Sequence, residues 1–314
     1  MSLSSENGVL HERAADGRAA PRVTPGAEPS EFDVRMVRVG HQPLSVAVKH
    51  AAGTRPPLLL FNGIGANWEL AKPFLAALTQ TTAIIFDIPG IGGSPLPSLP
   101  YRPSTIANLA AGLIAELGYQ EVDVAGVSWG GGMAQQFAHL HPQLCRRLVL
   151  AATSPGAIMV PGSPRVLWRM ATPRRYLDKD YFSKIASDIY GGRFRTDPSL
   201  IAHHAGAISG SRGIGYLYQL MAMAAWTSLP WLHSLRQPTL VLMGSDDPLV
   251  PLVNGRILAH LIPNAQLKII DDGHLFFVTR PTETAELIEA FLAREPSNDT
   301  SPGLNHEESP RRKT

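Results

Sequence analysis

The chain has 314 residues, 44% of them hydrophobic, and a formal net charge of +2. This composition suits a buried core, and the nearly balanced charge excludes an extended basic face for nucleic acid. The single cysteine, Cys145, excludes an internal disulfide, and no apolar run reaches the roughly 20 residues of a membrane span, so we expect a cytoplasmic protein without a transmembrane segment.

The two ends of the chain differ in composition from its middle. Residues 1–30 and 296–314 are rich in small, charged and proline residues and have no apolar periodicity. This pattern predicts disordered tails on either side of a folded part.

Short apolar runs recur along the folded part. Several have no polar alternation, which is typical of strands buried on both faces of a parallel sheet. The predicted strands are Val34–Val39, Leu44–Val48, Leu58–Phe61, Ala83–Phe86, Val122–Val127, Leu148–Leu150, Leu240–Met243 and Leu267–Ile270.

Helical patterns lie between these runs. Apolar residues at spacings of three and four predict one helix over 106–117, with Ser104 as its cap and Gly118 at its end. A second helix follows the glycines after Ser128. Strands alternating with helices predict an α/β architecture with a mostly parallel central sheet and helices on both of its faces.

A long segment, residues 154–237, interrupts this alternation after the sixth strand. It is rich in Trp, Tyr, Met and Pro. Because a loop of this length without secondary structure is uncommon, we expect a helical cap inserted into a core of residues 31–153 and 238–295. Its aromatic residues either form the cap's own core or line an apolar cleft.

The motif Gly126-Val-Ser128-Trp-Gly130 stands between a predicted strand and a predicted helix. This G-x-S-x-G pattern is typical of a nucleophile turn, where small neighbours allow a strained serine to project from the sheet. We therefore predict that Ser128 is a catalytic nucleophile.

A serine nucleophile needs a histidine oriented by a carboxylate, and in this architecture the chain order is Ser, acid, His. Asp247 follows the seventh predicted strand and is the predicted acid, with its neighbour Asp246 as the alternative. His274 follows the eighth strand and is the predicted base.

The predicted chemistry also needs two N–H donors for an oxyanion. We expect the backbone N–H of Trp129, next to the nucleophile, and that of Ile64, in the glycine-containing loop after the third strand. No phosphate-binding glycine motif and no metal-ligand spacing is present in the sequence, so we expect no cofactor and no metal.

Longer stretches resemble one family within the α/β-hydrolases, the intracellular medium-chain-length poly(3-hydroxyalkanoate) depolymerases of bacteria. The resemblance covers about residues 32–293, cap included, and Asn62 stands where many relatives have histidine. The matching stretches are FNGIGAN (61–67), FDIPGIGGS (86–94), GVSWGG (126–131), AQQFAH (134–139), LVLAAT (148–153), MVPGSP (159–164), QPTLVLMGSDDPL (237–249) and IPNAQLKIIDDGHLF (262–276).

The resemblance implies a serine esterase that hydrolyses a stored hydrophobic polyester at the surface of storage granules in the cytoplasm. It carries the family's catalytic roles onto Ser128, Asp247 and His274. Two alternatives stay open at this point: a serine hydrolase of small soluble esters, thioesters or carbon–carbon bonds, and a non-catalytic granule-coat or ligand-sensing module on the same fold.

Overall fold

The computed structural model of the protein describes residues 31–171, 174–207 and 213–294. The two predicted tails lie outside these ranges.

Eight strands form one sheet in the order β1-β2-β4-β3-β5-β6-β7-β8. All eight predicted strands are present. Strands β1 and β2 pair antiparallel at one edge, and the other six run parallel. The strands are β1 (Asp33–Val39), β2 (Gln42–Lys49), β3 (Leu58–Phe61), β4 (Ala83–Phe86), β5 (Val122–Val127), β6 (Cys145–Ala151), β7 (Thr239–Gly244) and β8 (Ala265–Ile270).

The central strands are buried on both faces. Every residue of β3, β4, β5 and β7 is buried, because helices cover the sheet on each side, and this burial explains their unbroken apolar sequences. The predicted mostly parallel central sheet flanked by helices is therefore confirmed.

Eleven helices occur within the described residues. They are α1 (Lys72–Ala77), α2 (Pro103–Glu116), α3 (Trp129–Leu140), α4 (Pro164–Met170), α5 (Arg174–Leu177), α6 (Lys179–Tyr190), α7 (Pro198–Ala207), α8 (Gly213–Met223), α9 (Leu252–Leu261), α10 (Phe276–Thr279) and α11 (Pro281–Leu292). Three short 3₁₀ helices accompany them at Trp68–Ala71, Gly192–Arg195 and Leu232–Ser234.

The predicted cap at Ser104 is wrong. Helix α2 begins at Pro103, and its N-cap residue is Arg102, two residues before Ser104. Proline suits the first helical position because it has no N–H to satisfy and its φ is already helical. The end of the helix is as predicted, since Gly118 has φ +81° and lies just beyond it.

The segment between β6 and β7 is helical, as predicted, and contains α4 to α8. We call residues 154–237 the inserted segment. Its aromatic residues divide among three environments: Tyr216 is fully buried, Tyr190 lines a pocket described below, and Trp168 is 81% exposed. Trp168 therefore belongs neither to the core of the inserted segment nor to the pocket lining. No helix of the described part is long and apolar enough to cross a membrane.

Candidate active site

Ser128 lies at a sharp turn between β5 and α3. Its φ of 55° and ψ of −120° are strained for a residue with a side chain. A Cβ on Gly126 would lie 2.2 Å from the Gly130 carbonyl oxygen, and one on Gly130 would lie 2.1 Å from that of Phe61. Glycine is therefore required on both sides of Ser128, which is the physical basis of the G-x-S-x-G spacing.

Hydrogen bonds to neighbouring strands hold this turn in place. The Ser128 N–H donates to the Ala151 carbonyl at 2.8 Å, and the Thr153 hydroxyl donates to the Ser128 carbonyl at 2.7 Å. The Ser128 side chain consequently stands at the N-terminus of α3, where unpaired N–H groups and the helix dipole favour negative charge.

Asp247 and His274 form a buried pair. Asp247 Oδ2 lies 2.7 Å from His274 Nδ1, and both side chains are almost fully buried. Asp247 Oδ1 accepts the N–H groups of Leu249 and Val250, each at 2.9 Å. Because a carboxylate oxygen only accepts hydrogen bonds, this contact favours the tautomer with the proton on Nδ1, in which Nε2 is the proton acceptor.

Asp246, the alternative acid, has different partners. Its Oδ2 accepts the Gly192 N–H at 2.8 Å and lies 3.1 Å from the Arg195 guanidinium, in an exposed position. The structure thus places Asp247, and not Asp246, against His274.

The inserted segment contacts the loop after β8, which carries His274. The Tyr190 carbonyl accepts the His274 N–H at 2.7 Å, and the two rings stack with centroids 6.2 Å apart. Asp272 is buried and joins the same contact, since its Oδ1 accepts the Arg193 N–H at 2.8 Å and its Oδ2 accepts the Thr279 hydroxyl at 2.6 Å. These bonds join the loop that carries His274 to the inserted segment.

The side chain of Asn62 forms hydrogen bonds within the loop after β3, to both sides of Ile64. Asn62 Oδ1 accepts the Gly63 N–H at 2.9 Å, and Asn62 Nδ2 donates to the Asn67 carbonyl at 2.8 Å. Ile64 lies within this closed loop, beside Ser128 and His274 at the same pocket. The side chain at position 62 therefore shapes the loop that carries one predicted oxyanion donor.

The carboxylate of Asp87 binds the chain where the loop after β3 ends. Asp87, in the DIPGIGGS stretch after β4, accepts the N–H groups of Trp68 at 2.7 Å and Gly93 at 2.8 Å. Burial raises the pKa of Asp87 to about 6. The matched motif at 86–94 consequently has a structural role next to the site.

Ser128, His274 and Ile64 line one pocket, and its remaining walls are almost entirely apolar. The other lining residues are Leu60, Asn62, Gly63, Ala66, Leu70, Ala71, Val127, Met170, Tyr190, Leu275, Phe277 and Val278. Among the residues that the structure describes, no cluster of His, Cys, Asp and Glu could hold a metal ion. The arrangement suits acyl transfer from an apolar ester.

Residues 56–281 match the family model of the alpha/beta hydrolase fold. The chain belongs to the α/β-hydrolase family. Within this family, a poly(3-hydroxyalkanoate) depolymerase of Ectopseudomonas oleovorans is 52% identical over 268 residues, which cover 85% of this chain and 95% of the relative. The resemblance that the motifs indicated is thereby confirmed.

More distant members of the α/β-hydrolase family also match over most of their length. A 2-hydroxymuconate semialdehyde hydrolase of a Pseudomonas species is 27% identical and covers 81% of this chain and 94% of the relative. The crystal structure of the enol-lactonase from Burkholderia xenovorans has a TM-score of 0.72 at 22% identity, covering 83% of this chain and 100% of that one. This structural likeness shows a shared fold.

Sequence reasoning did not find every residue that builds this α/β-hydrolase site. It missed Tyr190, which seats His274, and it missed Gln219 of α8, which contacts the loop after β3. Both lie in the inserted segment, where no motif marks them.

Proposed function

We propose that the protein is a serine esterase that hydrolyses medium-chain-length poly(3-hydroxyalkanoate) and releases 3-hydroxy acids. The observation that carries this proposal is that strained Ser128 and His274 line one apolar pocket, while buried Asp247 contacts His274 Nδ1. The 52% identity to a poly(3-hydroxyalkanoate) depolymerase supports the substrate class.

In the acylation half of the proposed mechanism, His274 Nε2 takes the proton of the Ser128 hydroxyl. The Ser128 oxygen attacks the ester carbonyl, and the backbone N–H groups of Ile64 and Trp129 stabilise the tetrahedral oxyanion. Asp247 holds the imidazole tautomer and stabilises the imidazolium that forms. His274 then gives the proton to the departing alkoxide, which leaves as the hydroxyl end of the shortened polymer.

Water completes the cycle in the proposed deacylation. His274 removes a proton from a water molecule that attacks the acyl-enzyme, and the second tetrahedral intermediate uses the same two N–H groups. Collapse of this intermediate returns the proton from His274 to the Ser128 oxygen and releases a 3-hydroxy acid.

The pocket walls support an acyl group with an alkyl side chain. Leu70, Ala71, Phe277 and Val278 line it beside the nucleophile, and burial of each additional CH₂ contributes about 0.8 kcal/mol. Longer acyl groups therefore gain binding energy until they fill the pocket.

Two assays on purified protein test the proposed chemistry and its competitors. A fluorophosphonate probe should label Ser128, whereas a non-catalytic granule-coat or sensing module would not be labelled. Nitrophenyl esters of increasing chain length should be cleaved with kcat/KM rising beyond the shortest acyl groups. A preference for the shortest esters would favour an esterase of small soluble substrates.

We further propose that the enzyme works at the surface of polyester granules in the cytoplasm. Exposed large hydrophobic side chains, which are normal when scattered singly, are concentrated in the inserted segment. Those in the inserted segment are Ile158, Val160, Leu167, Trp168, Leu177, Ile214, Leu217 and Met221. An amorphous polyester presents an apolar surface with embedded ester groups, which suits such side chains.

Trp168→Ser should reduce granule binding several-fold while leaving cleavage of a soluble nitrophenyl ester within about twofold of wild type. The reason is that Trp168 is 81% exposed and does not line the pocket, so its apolar area is available only to an external surface. Cosedimentation with granules measures the binding, and Ile269→Ser, an exposed apolar residue of β8, is the matched control. Equal binding by all three proteins would contradict this role.

A further inference from the structure

Gln219 of α8 makes two buried contacts with the loops that surround the nucleophile. Its side-chain Oε1 accepts the Gly65 N–H at 2.6 Å, and its backbone carbonyl accepts the Trp129 indole N–H at 3.0 Å. The Gln219 side chain has no exposed surface. One residue of the inserted segment is therefore bonded both to the loop after β3 and to Trp129, the first residue of α3.

These two contacts stand next to the two proposed oxyanion donors. Gly65 directly follows Ile64 in the loop after β3, and the indole belongs to Trp129, whose backbone N–H is the other donor. Since an oxyanion is stabilised only by donors at a defined distance from it, the separation between the loop after β3 and the start of α3 has catalytic consequences.

Helix α8 packs closely against the core at this position. A Cβ on Gly215 would lie 2.1 Å from the Gly90 carbonyl oxygen, so the helix backbone touches the loop after β4 one turn before Gln219. The Gln219 side chain thus reaches Gly65 from a helix that packs closely against the loop after β4.

We infer that Gln219 is a positioning residue that sets the distance between the two oxyanion donors. This inference rests on the proposed function. Removal of Oε1 would take away the hydrogen bond that joins the Gly65 N–H to α8. The loop after β3 would then be free to shift relative to α8, and Ile64, the neighbouring residue, would move with it.

The test compares Gln219→Leu, which removes the acceptor at similar size, with Gln135→Leu as a matched control. Gln135 is also fully buried and also joins the core to the inserted segment, through the Ser154 carbonyl at 3.1 Å and the Ser228 hydroxyl at 2.6 Å. It does not line the pocket. Gln219→Leu therefore removes a bond to the loop after β3, whereas Gln135→Leu removes bonds to Ser154 and Ser228.

We expect Gln219→Leu to lower kcat for nitrophenyl butyrate about 10- to 100-fold with KM changed less than about threefold. The inhibition constant of a boronic acid, which forms a tetrahedral adduct with the serine, should rise by a similar factor. Gln135→Leu should lower thermal stability without this selective loss of kcat.

A second variant covers the case in which Gln219→Leu does not fold. Trp129→Phe keeps the backbone N–H and an aromatic ring but deletes the bond to the Gln219 carbonyl, and we expect kcat to fall at least about threefold with KM unchanged. Folded Gln219→Leu with wild-type kcat, or failing that variant, Trp129→Phe with wild-type kcat, would overturn the inference. If wild type itself neither cleaved the ester nor reacted with a fluorophosphonate, the proposed function would fall instead.

Discussion

Ser128→Ala is expected to lower kcat for nitrophenyl butyrate by about 10⁴-fold or more, leaving only the rate enhancement that binding and the oxyanion donors supply. The substitution removes the oxygen that forms the acyl-enzyme. It should not disturb the fold, because the bonds that hold the turn use the Ser128 backbone N–H and carbonyl.

Ser234→Ala is the control for this experiment, since Ser234 is exposed in a 3₁₀ helix and bonds only to the Trp231 carbonyl among the described contacts. Its kcat should match that of wild type. If folded Ser128→Ala kept even a tenth of the wild-type kcat, another residue would have to be the nucleophile.

Asp247→Asn is expected to lower kcat about 10³- to 10⁴-fold. Asp247 Oδ1 already accepts two backbone N–H groups, so the amide nitrogen of the new side chain would take the Oδ2 position and face His274 Nδ1. A donor at that place favours the wrong imidazole tautomer, in which Nε2 carries the proton and cannot accept one from Ser128.

Asp246→Asn is a closely matched control, because it makes the same chemical change one residue away. Asp246 bonds to the Gly192 N–H and pairs with Arg195 in an exposed position, so its loss should change kcat by less than about fivefold. Equal losses in the two variants, measured with the same ester, would contradict the assignment of Asp247 as the orienting acid.

The parts of this fold that could be predicted from sequence are those that local patterns determine. Strands such as β3 and β5 are recognisable because both of their faces are buried, so they have no polar alternation. Ser128 is recognisable because its strained turn requires glycine at 126 and 130, and that requirement leaves a short motif. The start of α2 was misplaced because the helix-start preference of Pro103 outweighed that of Ser104.

Contacts between distant parts of the chain left no such pattern. Gln219 lies 154 residues from Gly65, and a buried glutamine in an apolar helix looks like any other polar interruption in the sequence. Tyr190 could be predicted as part of the insertion, but the bond from the His274 N–H to its carbonyl depends on backbone geometry alone. The sequence favoured Asp247 and left Asp246 as the alternative, and only the structure shows which of these neighbouring carboxylates contacts His274.

The central claim is that this site hydrolyses a stored polyester, and the most direct measurement is the release of 3-hydroxy acids from amorphous medium-chain-length polyester granules. The purified protein is compared with Ser128→Ala, and the released acids are quantified by chromatography. We predict release by the wild type and none above background by the variant. A wild-type protein that cleaved nitrophenyl butyrate but released no acid from granules would contradict the polymer assignment.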